Sequence, residues 1–404
     1  MAAAPAQGDA ARPRPLDGVL VIALEHAVAA PVCTRHLADQ GARIIKIERP
    51  GEGDFARRYD QRVKGMSSYF VWGNRSKESL TLDLKDPRGA EALRRLLERA
   101  DVLVQNLAPG AVERMGWSRE RLAELNPRLV SCDISGYGVN GPYRDHKAYD
   151  LMIQAESGLL SVTGTAQAMA RTGFSSADIG AGLYAYSSIM AALLLRERTG
   201  RGSHIDLSMY ESLTELLGNP IYYTYEGAPP APRTGAFHPS VVPYGPVSAG
   251  DGGQVLMGVQ NEREWVVFCD KALGRPELAT DPRFASNLAR TENRAALEAI
   301  INECFAALDT ETLETRLAQA NIATGRINTP GAFWTHPQNL ARDRMRTIDS
   351  PAGPVTSWLP PGVSDAYEAR MGAVPALGQH TDAILAELGF APGEIAAMRA
   401  DAVI

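Results

Sequence analysis

At 404 residues, with 45% apolar and 22% charged side chains, the chain exceeds one average domain and carries enough apolar surface for a large core. Its formal net charge of -6 argues against nucleic acid as the main partner, although local Lys and Arg still suit a phosphorylated small molecule. Cys33, Cys132, Cys269 and Cys304 lie far apart without CxxC or metal-ligand spacing, which points to reduced thiols in a cytosol and to no metal site.

Residues 1–14 are rich in Ala and Pro and lack a hydrophobic stretch, so they read as a disordered tail rather than a signal peptide. Past them, short β-branched runs alternate with helical spacing. Residues 19–23, 42–47, 79–82, 101–104 and 129–134 are expected strands, with helices at 33–40 and 87–100 between them. That rhythm predicts an α/β fold, with a large Rossmann-like domain built on a parallel sheet. No GxGxxG follows the first strand. Glu25-His26-Ala27-Val28-Ala29-Ala30-Pro31 stands there instead, so the nicotinamide-dinucleotide fingerprint is missing. A Gly-, Pro- and Ala-rich stretch at 225–232 reads as a linker. It opens a smaller α/β domain with a strand at 254–260 and a helix at 291–307. The expected boundaries are 15–224 and 331–404 for a discontinuous large domain, ending in a helix near 382–388, and 225–330 for linker and small domain.

The segment Gly173-Phe174-Ser175-Ser176-Ala177-Asp178 leads into a mostly apolar run, 179–198, which Thr199-Gly200-Arg201-Gly202 stops. It predicts a long helix with Asp178 as its N-cap, accepting first-turn amides and kept ionised by the positive end of the helix dipole. A carboxylate held in that way is either a structural cap or a nucleophile toward a thioester or anhydride carbon. Gly180 and Gly182 let either a ligand or a neighbouring helix approach the backbone. The amides of this helix start are placed to stabilise an oxyanion. The run carries Tyr and Ser and reads as too short to span a membrane.

Further motifs run the length of the chain: Leu16-Asp17-Gly18-Val19, Ala29-Ala30-Pro31, Gly41-Ala42-Arg43, Asn74-Arg75-Ser76-Lys77, Asn106-Leu107-Ala108-Pro109-Gly110, Ile134-Ser135-Gly136-Tyr137-Gly138, Ala148-Tyr149-Asp150 and Gly378-Gln379-His380-Thr381-Asp382. Their order and spacing resemble the class III CoA-transferase family, the group of formyl-CoA transferase and carnitine CoA-transferase, over nearly the whole chain. The resemblance implies a homodimer of two chains threaded as interlocked rings. It implies acyl-CoA and carboxylic acid substrates, with no permanently bound cofactor. It further implies Asp178 as the catalytic nucleophile, passing through a mixed anhydride and an aspartyl-CoA thioester. By motif match the CoA-binding candidates are Val28, Ala29, Arg49, Asn74, Arg75, Ser76, Lys77, Asn106, Leu107, Ala108, Arg114, Lys147, Ala148, Tyr149 and Asp150. Lys77 and Arg114 suit phosphate oxygens, and Arg49 suits the adenine or ribose-phosphate end.

Related α-methylacyl-CoA racemases carry His where this chain has Tyr149, and a phenol with a pKa of about 10 is a poor base for an α-proton. That favours transfer over racemisation. Arg171, His238 and Gly180 are the candidate acyl-pocket residues, with Arg171 and His238 suited to the distal carboxylate of a C4–C5 dicarboxylate. His238 opens the motif His238-Pro239-Ser240-Val241-Val242-Pro243-Tyr244 at the entry to the small domain. Ala249-Gly250-Asp251-Gly252-Gly253 lacks the four-glycine run of formyl-CoA:oxalate transferases, which speaks against oxalate. The resulting expectation is a cytoplasmic CoA-transferase, the alternatives being a racemase-like enzyme and a non-catalytic CoA-binding protein.

Overall fold

Leu20–Leu24 (β1), Arg43–Glu48 (β2), Lys77–Thr81 (β3), Val102–Gln105 (β4), Val130–Ser135 (β5) and His204–Ser208 (β6) pair in one wholly parallel sheet, in the order β3-β2-β1-β4-β5-β6. The computed structural model describes residues 12–362 and 364–404. Residues 1–11 of the expected tail lie outside them, whereas Arg14 is tied down, its Nε donating to the Glu368 carbonyl at 3.0 Å. The inner strands are buried almost throughout because helices cover both faces. Edge strand β6 is the one the sequence did not announce. Three of its five residues are polar and it is only partly covered, so no apolar run marks it. Strand order reverses between β1 and β4, and open α/β sheets take their ligands outside the carboxyl ends at such a point.

Helices α1 (Ala29–Asp39), α2 (Pro87–Arg99), α3 (Asp150–Glu156), α4 (Ser176–Thr199) and α5 (Met209–Leu216) belong to the unit built on this sheet. α2 begins where the sequence says it must: the Asp86 side chain accepts from Arg88 N and Pro87 occupies the first turn. Its Leu93, Leu96 and Leu97 share a core with Ile22, Ile45 and Leu103 and with Ile384, Leu385 and Met398 of the last two helices. The motif from Gly378 to Thr381 pins that C-terminal segment to β3. Ser79 N donates to His380 Nδ1 and Thr81 N to Thr381 Oγ1.

α1 packs against α4 at very short range. A Cβ at Gly182 would stand 2.6 Å from the Ala29 carbonyl oxygen and 2.9 Å from Val32 Cβ, so only glycine permits the approach. α4 ends at Gly200, whose φ of 72° stops the helix while its N–H returns to the Arg196 carbonyl. At 24 residues it is, by length and composition, long and apolar enough to cross a bilayer, so the expectation of a run too short fails. Its Ala177, Ala181, Ala185, Ile189 and Leu193 are buried within the unit.

The chain divides into two units. The sheet unit holds the described residues up to Ser157, with Gly173–Leu216 and Arg342–Ile404; the second holds Gly158–Thr172 and Leu217–Ala341. Composition suggests 225–330 for the latter. The segment 158–172 joins it through contacts that no local pattern reveals: the Arg233 guanidinium donates to the Ser161, Thr165 and Ala166 carbonyls. Three antiparallel strands, Tyr244–Ser248 (β7), Gln254–Gly258 (β8) and Ala323–Arg326 (β9), form its sheet. Residues 249–253 are simply the turn between β7 and β8, with Asp251 accepting from Thr310 N and Oγ1. At the core, Arg290 lies over Trp265 and donates to the Val242 and Phe284 carbonyls and to Glu262, which accounts for its burial.

Candidate active site

The turn from β1 to α1 lies at the point where strand order reverses. Asn106, one residue beyond β4, grips it: its Oδ1 accepts from His26 N at 3.0 Å and its Nδ2 donates to the His26 carbonyl at 2.9 Å. Val28 and Ala29 follow and are buried, so any ligand contact there falls to their backbone. Leu107 N is held by Gln105 Oε1 at 2.8 Å, and Ala108 is exposed beside it. Arg49 sits exposed directly after β2. Arg114 is exposed too, with Nη1 on the Pro109 carbonyl, and so is Lys147. These three cations are accessible to phosphate.

The Asn74–Lys77 motif behaves differently. Lys77 is buried, and its three N–H groups go to Glu25 Oε1 (2.7 Å), Asn74 Oδ1 (3.0 Å) and the Pro31 carbonyl (3.1 Å). Burial brings its pKa down to about 8. Arg75 is buried as well, with Nε and Nη2 on the two oxygens of Asp39. Ser76 Oγ receives Gly372 N at 2.7 Å. None of these side chains turns a free donor outward, so the phosphate role expected of Lys77 is corrected. Charged residues at strand ends, which look like ligand heads in sequence, are here neutralised inside the protein.

Asp178 is the third residue of α4, and Ser175 precedes the helix as N-cap residue, so the expected N-cap position is also corrected. The carboxylate that takes the first-turn amides is Asp150, the first residue of α3. Its Oδ1 accepts from Ala177 N at 2.8 Å and Asp178 N at 3.3 Å, and Gln154 Nε2 holds its Oδ2 at 2.7 Å. Ser176 N and Ile179 N bond to the Phe174 and Ser175 carbonyls. These four amides are therefore engaged, against the expected oxyanion role. Asp178 itself is half-buried. Burial, with Asp150's negative charge beside it, raises its pKa to about 7, the reverse of a dipole-stabilised anion. Gly180 faces α5, where an added Cβ would meet Leu216 Cδ1 at 3.1 Å, so like Gly182 it allows close helix packing.

An aromatic wall, absent from the sequence reading, runs from the β1–α1 turn to Tyr69, and its Tyr59 lies within electrostatic reach of Asp178. His26 packs against Phe55 with ring centroids 4.8 Å apart and planes tilted by 49°, Phe55 against Tyr59 at 5.7 Å and 53°, and Tyr59 meets Tyr69 edge-on at 5.3 Å. Burial, then the negative charges of Asp54 and Asp178, push the Tyr59 phenol up to about 12, so it stays a donor. Tyr149, adjoining Ala148 at the N-terminus of α3, is 67% exposed. The signal that could have found this wall is Phe55, Tyr59 and Tyr69 in the connection after β2, since ligands gather on such strand-end loops.

Arg171 and His238 belong to the second unit. Arg171 is exposed and donates to the Thr172 carbonyl. His238 stacks on Tyr244 at 5.4 Å, and its Nδ1 accepts from Ser240 N and Val241 N, which leaves Nε2 as its remaining polar atom. Among the described residues no group of three or more His, Cys, Asp and Glu is placed to hold a metal ion.

The family model described as CoA-transferase family III matches residues 16–381. The succinyl-CoA:glutarate CoA-transferase of Mus musculus is 34% identical over 392 residues, covering 95% of this chain and 88% of that protein. The acetyl-CoA:oxalate CoA-transferase of Acetobacter aceti is 37% identical over 339 residues, covering 83% of this chain and 86% of that protein. Among solved structures, a CAIB/BAIF family protein from Brucella suis superimposes with a TM-score of 0.81 at 34% identity, over 93% of this chain and all of that one.

Proposed function

We propose, from the premise that the chain belongs to CoA-transferase family III, that this enzyme moves CoA from an acyl-CoA donor such as succinyl-CoA to a C4–C5 dicarboxylic acid, with Asp178 as nucleophile. The observation that carries the reading is the Asp178 carboxyl itself, half-buried, with Asp150 beside it and Tyr59 within electrostatic reach. Once ionised, a desolvated carboxylate is a stronger nucleophile than one in water. Its oxygen attacks the thioester carbonyl, the C–S bond breaks, and CoA thiolate leaves behind a mixed anhydride. Thiolate then attacks the Asp178 carboxyl carbon, the donor acid departs as carboxylate, and an aspartyl-CoA thioester remains. The acceptor carboxylate repeats the two steps in reverse and restores Asp178. Tyr59, kept protonated, supplies a hydrogen bond to the charge that develops.

Two relatives named for dicarboxylates, glutarate and oxalate, support a diacid acceptor. The turn at 249–253 has no four-glycine run, which favours the longer acids. A diacid leaves one carboxylate unreacted, and its burial requires a cation or donors. Arg171 and His238 Nε2 are the groups assigned to it. A homodimer and a cytoplasmic setting complete the reading, the latter supported by four free cysteines. The test is a panel of mono- and dicarboxylates against succinyl-CoA and acetyl-CoA, with new CoA esters read by mass. Parent enzyme should prefer dicarboxylates, and Arg171→Met should penalise them far more than monocarboxylates of similar length. A parent that prefers monocarboxylates, or a variant that loses both alike, would refute the diacid assignment.

A further inference from the structure

Four ionisable side chains meet, fully buried, beneath the β1–α1 turn: Glu25, Lys46, Asp54 and Lys77. Two carboxylates balance two ammonium groups. Lys46 Nζ donates to Asp54 Oδ2 at 2.8 Å and to Glu25 Oε1 at 3.4 Å, Lys77 Nζ reaches the same Glu25 oxygen at 2.7 Å, and Thr34 Oγ1 donates to Glu25 Oε2 at 2.6 Å. Burial of charge is costly, and well-packed apolar residues of similar volume often stabilise a core as well or better. Cohesion alone is a poor reason for the quartet.

A better reason lies at its outer end. Asp54 Oδ1 accepts from Ala27 N at 3.1 Å and from Ala56 N at 2.9 Å. Ala27 has a φ of 63°, a left-handed conformation that is unfavourable for a residue with a Cβ and persists only where its surroundings over-determine it. Ala56 belongs to the short helical turn Phe55–Arg58, which sets Phe55 against His26 and runs directly into Tyr59. One carboxylate thus fixes two walls of the site.

We propose that Asp54 is a positioning residue for the CoA-binding turn. Anchored by Lys46, Glu25 and Lys77, it holds Ala27 left-handed and keeps the β1–α1 turn and the Phe55–Tyr59 wall in register before substrate arrives. The inference rests on the CoA-transferase reading for the ligand alone; the conformational part depends on this chain's own contacts. Lys77 then influences CoA affinity through Asp54 and the turn, not by touching phosphate.

The experiment combines hydrogen–deuterium exchange of the full chain, read over peptides spanning 24–32 and 54–60, with calorimetric titration of free CoA. Asp54→Ala should speed exchange in both peptides by about tenfold or more, because both amides lose their acceptor. Its CoA dissociation constant should rise by about tenfold. Asp54→Ser, able to cap Ala56 but too short to hold Ala27 as well, should open the first peptide and spare the second; it also serves if Asp54→Ala does not fold. Adding Ala27→Gly, which takes a positive φ without steric cost, should recover most of the lost affinity although Lys46 still lacks Asp54. Unchanged exchange over 24–32 in both Asp54 variants, or an affinity loss that Ala27→Gly leaves intact, would overturn the proposal. Exchange as expected in a parent protein that binds no CoA would support the Asp54 assignment and refute the CoA reading instead.

Discussion

Two effects add at the Asp178 carboxyl. Burial removes water from it, and Asp150 places a negative charge beside it, so ionisation is deferred to a pH of about 7. The nucleophile is the ionised form, so kcat/KM should climb as pH rises through that value. Asp150→Asn keeps an acceptor oxygen for the Ala177 amide and removes the charge, so the acid limb of the profile should move to lower pH. A limb that stays in place or moves upward would contradict this account of the shift. Linkage gives an independent check. Asp178 titrates well above its ordinary value of 3.8 in the folded protein, so between the two values the folded state holds a proton that the unfolded state has released. Stability contributed by this group is therefore full at low pH and is lost as pH rises toward 7. Asp178→Asn abolishes that loss, and the variant should melt higher than the parent at about pH 8 while matching it near pH 4. Lys77 is the contrasting case. Removing one partner from a buried ion pair costs about 3–5 kcal/mol, so Lys77→Met should appear first in a urea-unfolding curve. A Lys77→Met protein of parental stability with weakened CoA binding would restore the phosphate role.

Among elements, the seam between α1 and α4 leaves no room for a Cβ at Gly182. At Gly182→Ala the new methyl meets backbone oxygen rather than a flexible side chain, so the helices must part. Overpacking of this kind costs about 1–3 kcal/mol. Thermal unfolding should show it, and a melting point equal to the parent's would mean the seam is looser than its distances. The same level shows what sequence can and cannot reveal. β1, β2, β4 and β5 fall within a residue or two of their expected places because buried apolar residues recur along each of them, even where β2 and β5 also carry polar side chains. β6 escapes because its partly covered edge is mostly polar, and the pinning role of the Gly378–Thr381 motif escapes because its partners lie on β3. Asp178 is legible as the carboxyl that opens a long helix. Its capping partner is not, since Asp150 lies 28 residues earlier and meets α4 only in three dimensions. The cations at strand ends mislead for a related reason: sequence shows Lys77 and Arg75 but not the Glu25 and Asp39 that absorb them.

For the molecule as a whole, two units with separate cores answer to one family pattern that runs through both, from residue 16 to residue 381. The proposed homodimer predicts a sedimentation mass of two chains that persists on dilution, and a monomer at working concentration would refute it. The proposed transfer of CoA turns on one covalent event at Asp178. Parent enzyme incubated with succinyl-CoA and no acceptor, then digested and analysed by mass spectrometry, should show a CoA-sized addition on the peptide containing Asp178. The adduct should vanish on addition of acceptor acid and be absent from Asp178→Asn. No adduct on that peptide in an enzyme that turns over, or an adduct on any other residue, would contradict Asp178 as the nucleophile.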